Sequence, residues 1–155
     1  MPDSSFFESQ TRASKVKAEI VAKYFWVWAK IVTKRATEIG YVDLFAGTGR
    51  YGDGAKSTPL LILESAIADE KFASVLHVVL NDRDPESVAA LAKAVADLPG
   101  IEKLRHKPSI KCHEVDEAVV EWMAKKWSYP SLVFLDPWGY KGLSMGSSTR
   151  RCRAR

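Results

Sequence analysis

Apolar and polar positions follow two different periods along this chain. Val16, Ile20, Val21, Tyr24, Phe25, Trp28, Ile31 and Val32 recur at helical spacing on one face. Lys15, Glu19, Lys23, Trp26, Lys30 and Lys34 trace the other. The pattern predicts one long amphipathic helix over residues 14–39, closed by Gly40 as its C-terminal cap. The period then changes. Tyr41 to Phe45 reads as a buried strand running into Ala46-Gly-Thr-Gly49. Thr58-Pro59 starts a helix that continues from Leu60 to Ala68. Val75 to Leu80 is a near-continuous apolar run, and therefore a second buried strand. Asp84 caps a helix that opens on Pro85 and extends to Leu98. Ile110 to Val115 is a weaker third strand, Asp116 starts a helix through Trp127, and Ser131 to Leu135 is the fourth strand. Helix, then strand and helix three times, then strand implies an α/β fold. Its sheet should be parallel, partial and doubly wound, with right-handed crossovers.

The first strand end carries the most chemistry. Gly47 and Gly49 allow close backbone approach to a ligand and positive φ. In open α/β sheets, ligands sit beyond the carboxyl ends of the strands. Three ligand classes suit this loop. Gly47-Thr-Gly49-Arg-Tyr-Gly52 has the spacing of the dinucleotide fingerprint, but Asp53 and Gly54 follow where a helix should open. Gly49 to Ser57 nearly spells a phosphate-binding P-loop, with Ala55 putting Lys56 one residue out of register. The third reading, strand-Asp-x-Phe-x-Gly-x-Gly, is the S-adenosylmethionine-binding form. It gives Asp43 a role beside a cationic sulfonium and amine. Asp82 and Asp136 also come at strand ends, and Asp116 just past one. A parallel sheet gathers such acids along one edge.

Composition narrows the class without identifying a ligand. At 155 residues, 46% hydrophobic and 27% charged, the chain fits one soluble domain. No apolar run approaches the ~20 residues of a membrane-spanning helix, and no secretory signal opens the sequence. Cys112 and Cys152 form no motif, and with three scattered histidines they predict no metal site. A reducing cytoplasmic setting follows. The net charge is +4, yet Arg150, Arg151, Arg153 and Arg155 crowd the last residues. Setting those four aside from the 23 basic residues leaves 19 against 19 acidic ones. The basic character belongs to the tail, not to the folded part.

Asp43-Leu-Phe-Ala-Gly-Thr-Gly49, Asn81-Asp-Arg-Asp-Pro85 and Leu135-Asp-Pro-Trp-Gly139 resemble motifs of class I S-adenosylmethionine-dependent methyltransferases. More narrowly, three stretches resemble the bacterial three-Cys-motif partner proteins: Lys17 to Trp28, Tyr41 to Gly54, and Phe134 to Ser144. The resemblance spans Ser14 to Ser144 and implies a strand order of 3-2-1-4. It also implies S-adenosylmethionine as cofactor, held by Asp43, Phe45, Gly47, Gly49, Asp82 and Asp116. Asp82 would meet the ribose hydroxyls and Asp116 the adenine amino group. Asp136, Pro137 and Trp138 would be catalytic. The acid and the proline carbonyl would align a target amino group, and Trp138 or Tyr140 would stack on a flipped base of RNA or DNA. A neighbouring three-cysteine protein is the implied partner.

A full methyltransferase sheet has three further strands. The expected organisation is therefore a lead-in over 1–13, an incomplete domain over 14–143, and a basic, disordered tail over 144–155. Strand four would be left as an apolar edge that invites self-association. Two other functions remain open: a nucleotide hydrolase built on the near-P-loop, and a non-catalytic binding protein with a methyltransferase fold.

Overall fold

The computed structural model describes residues 12–136. Residues 1–11 and 137–155, with Pro137, Trp138 and Tyr140, lie outside the described residues, and Arg12 and Ala13 of the expected lead-in belong to the first helix. The elements run α1 (Arg12–Val32), β1 (Ile39–Asp43), α2 (Thr58–Ile67), α3 (Glu70–Val75), β2 (Leu76–Asp82), α4 (Pro85–Ala96), β3 (Ser109–Cys112), α5 (Glu117–Lys126) and β4 (Ser131–Phe134). The four strands form one sheet in the order β3-β2-β1-β4. Every pairing is parallel. This is the predicted order, and β1 at the sheet's interior is buried at all five positions. An interior strand covered on both faces accounts for its mostly apolar sequence up to Asp43.

The first helix differs from its prediction in length and in face. α1 ends at Val32, and the chain turns before β1 starts at Ile39. The Thr33 hydroxyl donates to the Ala29 carbonyl at 2.8 Å, a back-bond that competes with continued helix. Gly40 is not a cap. It lies inside β1, where a Cβ would fall 2.3 Å from the Ser131 hydroxyl oxygen. A side chain there would press on the Ser131 and Tyr129 side chains.

The buried stripe of α1 is Ala18, Ala22, Phe25 and Ala29. The three alanines let the helix approach α2 closely, and Phe25 meets Tyr41 of β1 edge-on at 5.4 Å. Val16, Ile20, Tyr24 and Ile31, predicted to face the core, are instead 49–62% exposed. Trp26, on the predicted solvent face, packs edge-on against Phe72 at 4.5 Å. Phe25, Trp28 and Val32 meet the core as predicted, but the rest of the buried stripe consists of alanines, which allow close helix packing.

The remaining elements shift by a few residues. Ser57, not Thr58, holds the N-cap position of α2. The short helix α3 was not foreseen; the Asp69 carboxylate caps it by accepting from the amides of Lys71 and Phe72. Asp84 caps α4 as expected, accepting from the Ser87 amide at 2.8 Å. The core joins Phe25 and Tyr41 to Leu60, Leu63, Leu80 and Leu91.

Candidate functional site

The carboxyl ends of β1, β2 and β3 are tied together by backbone amides and two side chains. Asn81, the penultimate residue of β2, is buried. Its amide nitrogen donates to the Leu44 carbonyl at 3.1 Å and to the His113 carbonyl at 2.9 Å. Its side-chain oxygen accepts from the His113 amide at 3.1 Å. One side chain therefore fixes the loops after β1 and β3. Asp82 does the same for the glycine turn. One carboxylate oxygen accepts from the Gly47 amide and the other from the Asp84 amide, each at 3.0 Å.

The two glycines of the turn do different work. Both adopt positive φ, 65° at Gly47 and 81° at Gly49. A Cβ on Gly49 would press on Leu91 and Ala94 of α4 at 3.0 and 3.1 Å. Gly49 is needed for packing. A Cβ on Gly47 would meet nothing within 4 Å. Gly47 thus presents bare backbone to open space, beside the Asp82 carboxylate.

Asp43 is the last residue of β1 and is 2% exposed. Its carboxylate accepts from the Phe45 amide at 3.0 Å and, more loosely, from the Tyr41 hydroxyl at 3.3 Å. Burial pushes its pKa up to about 7; the Phe45 amide and the Tyr41 hydroxyl oppose this, while Asp136 and Asp82 add to it. The Tyr51 hydroxyl is also pushed up, first by burial and then by Asp136 and Asp43. Asp43 therefore feels the charges of Asp136 and Asp82, and Tyr51 those of Asp136 and Asp43. Asp136, two residues past β4, accepts from the Lys17 ammonium of α1 at 2.6 Å. Lys15, also on α1, pairs with Asp53 of the loop at 3.0 Å. The first turns of α1 thus lean over the carboxyl edge of the sheet. An open cleft lined by Lys15, Glu19, Gly54 and Lys56 lies beside this edge and does not include Asp43 or Asp82.

Of the residues singled out in the sequence, Asp43, Phe45, Gly47, Gly49, Asp82 and Asp136 gather at this edge. Asp116 is exposed and serves as the N-cap of α5, accepting from the Val119 amide at 2.9 Å. Pro137 and Trp138 fall outside the described residues. Three contributors escaped sequence reading. Asn81 was visible as the polar residue ending an apolar run. Tyr51 and Lys17 carried no local signal, because their relation to Asp136 is purely tertiary.

Chemically, this edge offers carboxylates and glycine backbone, and little cationic charge free for an anion. Lys56, the lysine of the near-P-loop, is ion-paired with Glu64 on α2. Asp82 keeps lone pairs beyond the two amides it accepts, so it can also accept from vicinal hydroxyls. Open space over Gly47, a buried acid and a second acid with spare acceptors suit a ligand carrying hydroxyls and a positive centre. The chain matches no protein-family model, no curated protein and no solved structure.

Proposed function

We propose that the carboxyl edge of this sheet is an S-adenosylmethionine site, and that the protein is a methyltransferase-like member of the α/β class. The observation that carries this reading is the join between Gly47 and Asp82. It sets an acid with free acceptor capacity beside exposed glycine backbone, with Asp43 buried behind. In this assignment Asp82 holds the ribose hydroxyls, and Asp43 faces the cationic end of the ligand. Gly47 lets the ligand lie against the main chain. When bound, the cofactor supplies an electrophilic methyl group.

Asp136 is the residue assigned to the methyl acceptor. Its carboxylate stands at the end of β4 near Asp43 and is held by Lys17. A carboxylate there can accept from an amino group of RNA or DNA and orient its lone pair. Pro137 and Trp138 complete that assignment through the sequence motif alone. A three-cysteine-motif protein is the proposed partner, on the sequence resemblance.

The hydrolase reading is weaker on two counts. Lys56 is paired with Glu64, and the carboxylates of Asp43, Asp82 and Asp136 would repel a polyphosphate. A non-catalytic protein with the same cofactor site would bind S-adenosylmethionine without transferring its methyl group.

The test is equilibrium binding of labelled S-adenosylmethionine, challenged separately with magnesium-ATP and with NAD. Saturable binding that neither competitor displaces supports the reading. Incorporation of label into RNA or DNA then separates an enzyme from a binding protein.

A further inference from the structure

The opposite, amino edge of the sheet carries a second cluster, unrelated to the first. Glu38 immediately precedes β1, His77 is the second residue of β2, and His106 lies in the connection to β3. The sequence scatters them, and the parallel register brings them together: His77 aligns with Gly40, two residues after Glu38. The two imidazole rings stack at 3.7 Å between centroids, and Tyr129 stacks on the other face of His77 at 4.5 Å.

Three lone-pair donors converge here. The Nε2 atoms of His77 and His106 each lie 3.5 Å from the same carboxylate oxygen of Glu38. Both nitrogens are shielded from solvent, and neither has a hydrogen-bond partner. A separation of 3.5 Å is longer than the usual ~2.7–3.2 Å N–H···O range. It matches another geometry. Two ligands on a tetrahedral ion, each about 2.0–2.1 Å from it, stand about 3.4 Å apart. All three donor atoms lie within 4.8 Å of one another.

Glu38 is the most exposed of the three, with 41% of its side chain accessible, and so marks the entry side. A water there would complete four-coordination.

We propose that Glu38, His77 and His106 bind one divalent transition-metal ion, of the zinc class, which braces the amino ends of β1 and β2 and the chain entering β3. Two imidazoles and one carboxylate are a donor set for borderline ions, not for magnesium or calcium. Because the rings stack with only 22° between their planes, one imidazole tilts on binding so that both lone pairs reach the ion. The proposal is independent of the S-adenosylmethionine site at the other edge.

The test uses the full chain without an affinity tag, stripped with chelator and then titrated with Zn²⁺ by calorimetry and with Co²⁺ by visible absorption. One ion per chain is expected, with a rise in melting temperature and a cobalt spectrum of low-symmetry, four-coordinate type. His106→Gln and Glu38→Gln should each weaken zinc binding at least tenfold, while Cys112→Ser leaves it unchanged. Glu38→Gln, at a partly exposed position, keeps the test open should His106→Gln fail to fold. Absence of saturable zinc uptake up to about 100 µM overturns the proposal, as does uptake unaffected by both variants. A cluster that merely shares a proton gives the first of those results.

Discussion

The Gly47 amide donates to the Asp82 carboxylate at 3.0 Å, joining the turn after β1 to the end of β2. The same carboxylate also accepts from the Asp84 amide. Asp82→Ala removes both contacts and leaves the Gly47 amide without its partner. Unfolding by urea should show a loss of about 1–3 kcal/mol, the scale of charge-assisted hydrogen bonds. An unchanged midpoint would show that the turn is held by other means.

Gly47 and Gly49 should respond differently to alanine. Gly49→Ala combines positive φ with pressure on Leu91 and Ala94, and should cost about 1–3 kcal/mol of stability. Gly47→Ala meets no protein atom and should cost less. It should instead weaken S-adenosylmethionine, because its methyl group enters the space assigned to the ligand. Equal stability losses with unchanged affinity in Gly47→Ala would remove that glycine from the site.

Asp43 predicts a pH dependence with a definite sign. Its carboxyl titrates at about 7 in the folded chain, against 3.8 for an ordinary aspartate. Between those values the folded form holds a proton that the unfolded form has released. Stability from this group is therefore complete at low pH and is lost as pH rises to about 7. The loss is on the order of a few kcal/mol. Denaturant titrations from pH 4 to 8 should show this decline, and Asp43→Asn should flatten it. A cationic ligand favours the ionised carboxylate, so S-adenosylmethionine should bind more tightly at pH 8 than at pH 6. The opposite trend would separate Asp43 from the ligand's positive end.

The strand order, the parallel pairing and the edge occupied by Asp43, Asp82 and Asp136 were legible in the sequence. Strands one, two and four were apolar runs with an acid at or near their carboxyl ends, alternation with helices implied a parallel sheet, and the order followed from the methyltransferase resemblance. The face of α1 was legible only in part, at Phe25, Trp28 and Val32. Val16, Ile20 and Tyr24 are as apolar as a core stripe, and nothing local says that Ala18, Ala22 and Ala29 pack more closely. The roles of Asn81 and Lys17, and the cluster of Glu38, His77 and His106, depend on register and crossover geometry. They emerge only when strands distant in sequence are laid side by side.

The edge strand β4 bears on association. Val133 and Leu135 at β4 are each 42% exposed, and β4 pairs only with β1 among the described residues. An unpaired apolar edge of this kind recruits another strand. Sedimentation velocity at low micromolar concentration should show dimers or larger species, and Val133→Lys should shift them toward monomer. A wild-type monomer with β4 amides protected from hydrogen exchange would contradict this.

Asp136 should divide chemistry from cofactor binding. If it aligns the acceptor, Asp136→Ala abolishes methyl transfer and leaves S-adenosylmethionine affinity within a few-fold. Parallel loss of both would move Asp136 into the cofactor site, beside Asp43.

Calorimetry of the wild-type protein and of Asp82→Ala with S-adenosylmethionine is the most direct test of the central claim. The prediction is a saturable one-to-one isotherm for the wild type, weakened tenfold or more in Asp82→Ala, as expected for loss of a charged hydrogen-bond acceptor of ~1.5–3 kcal/mol. Tight binding of magnesium-ATP with no heat from S-adenosylmethionine would contradict it.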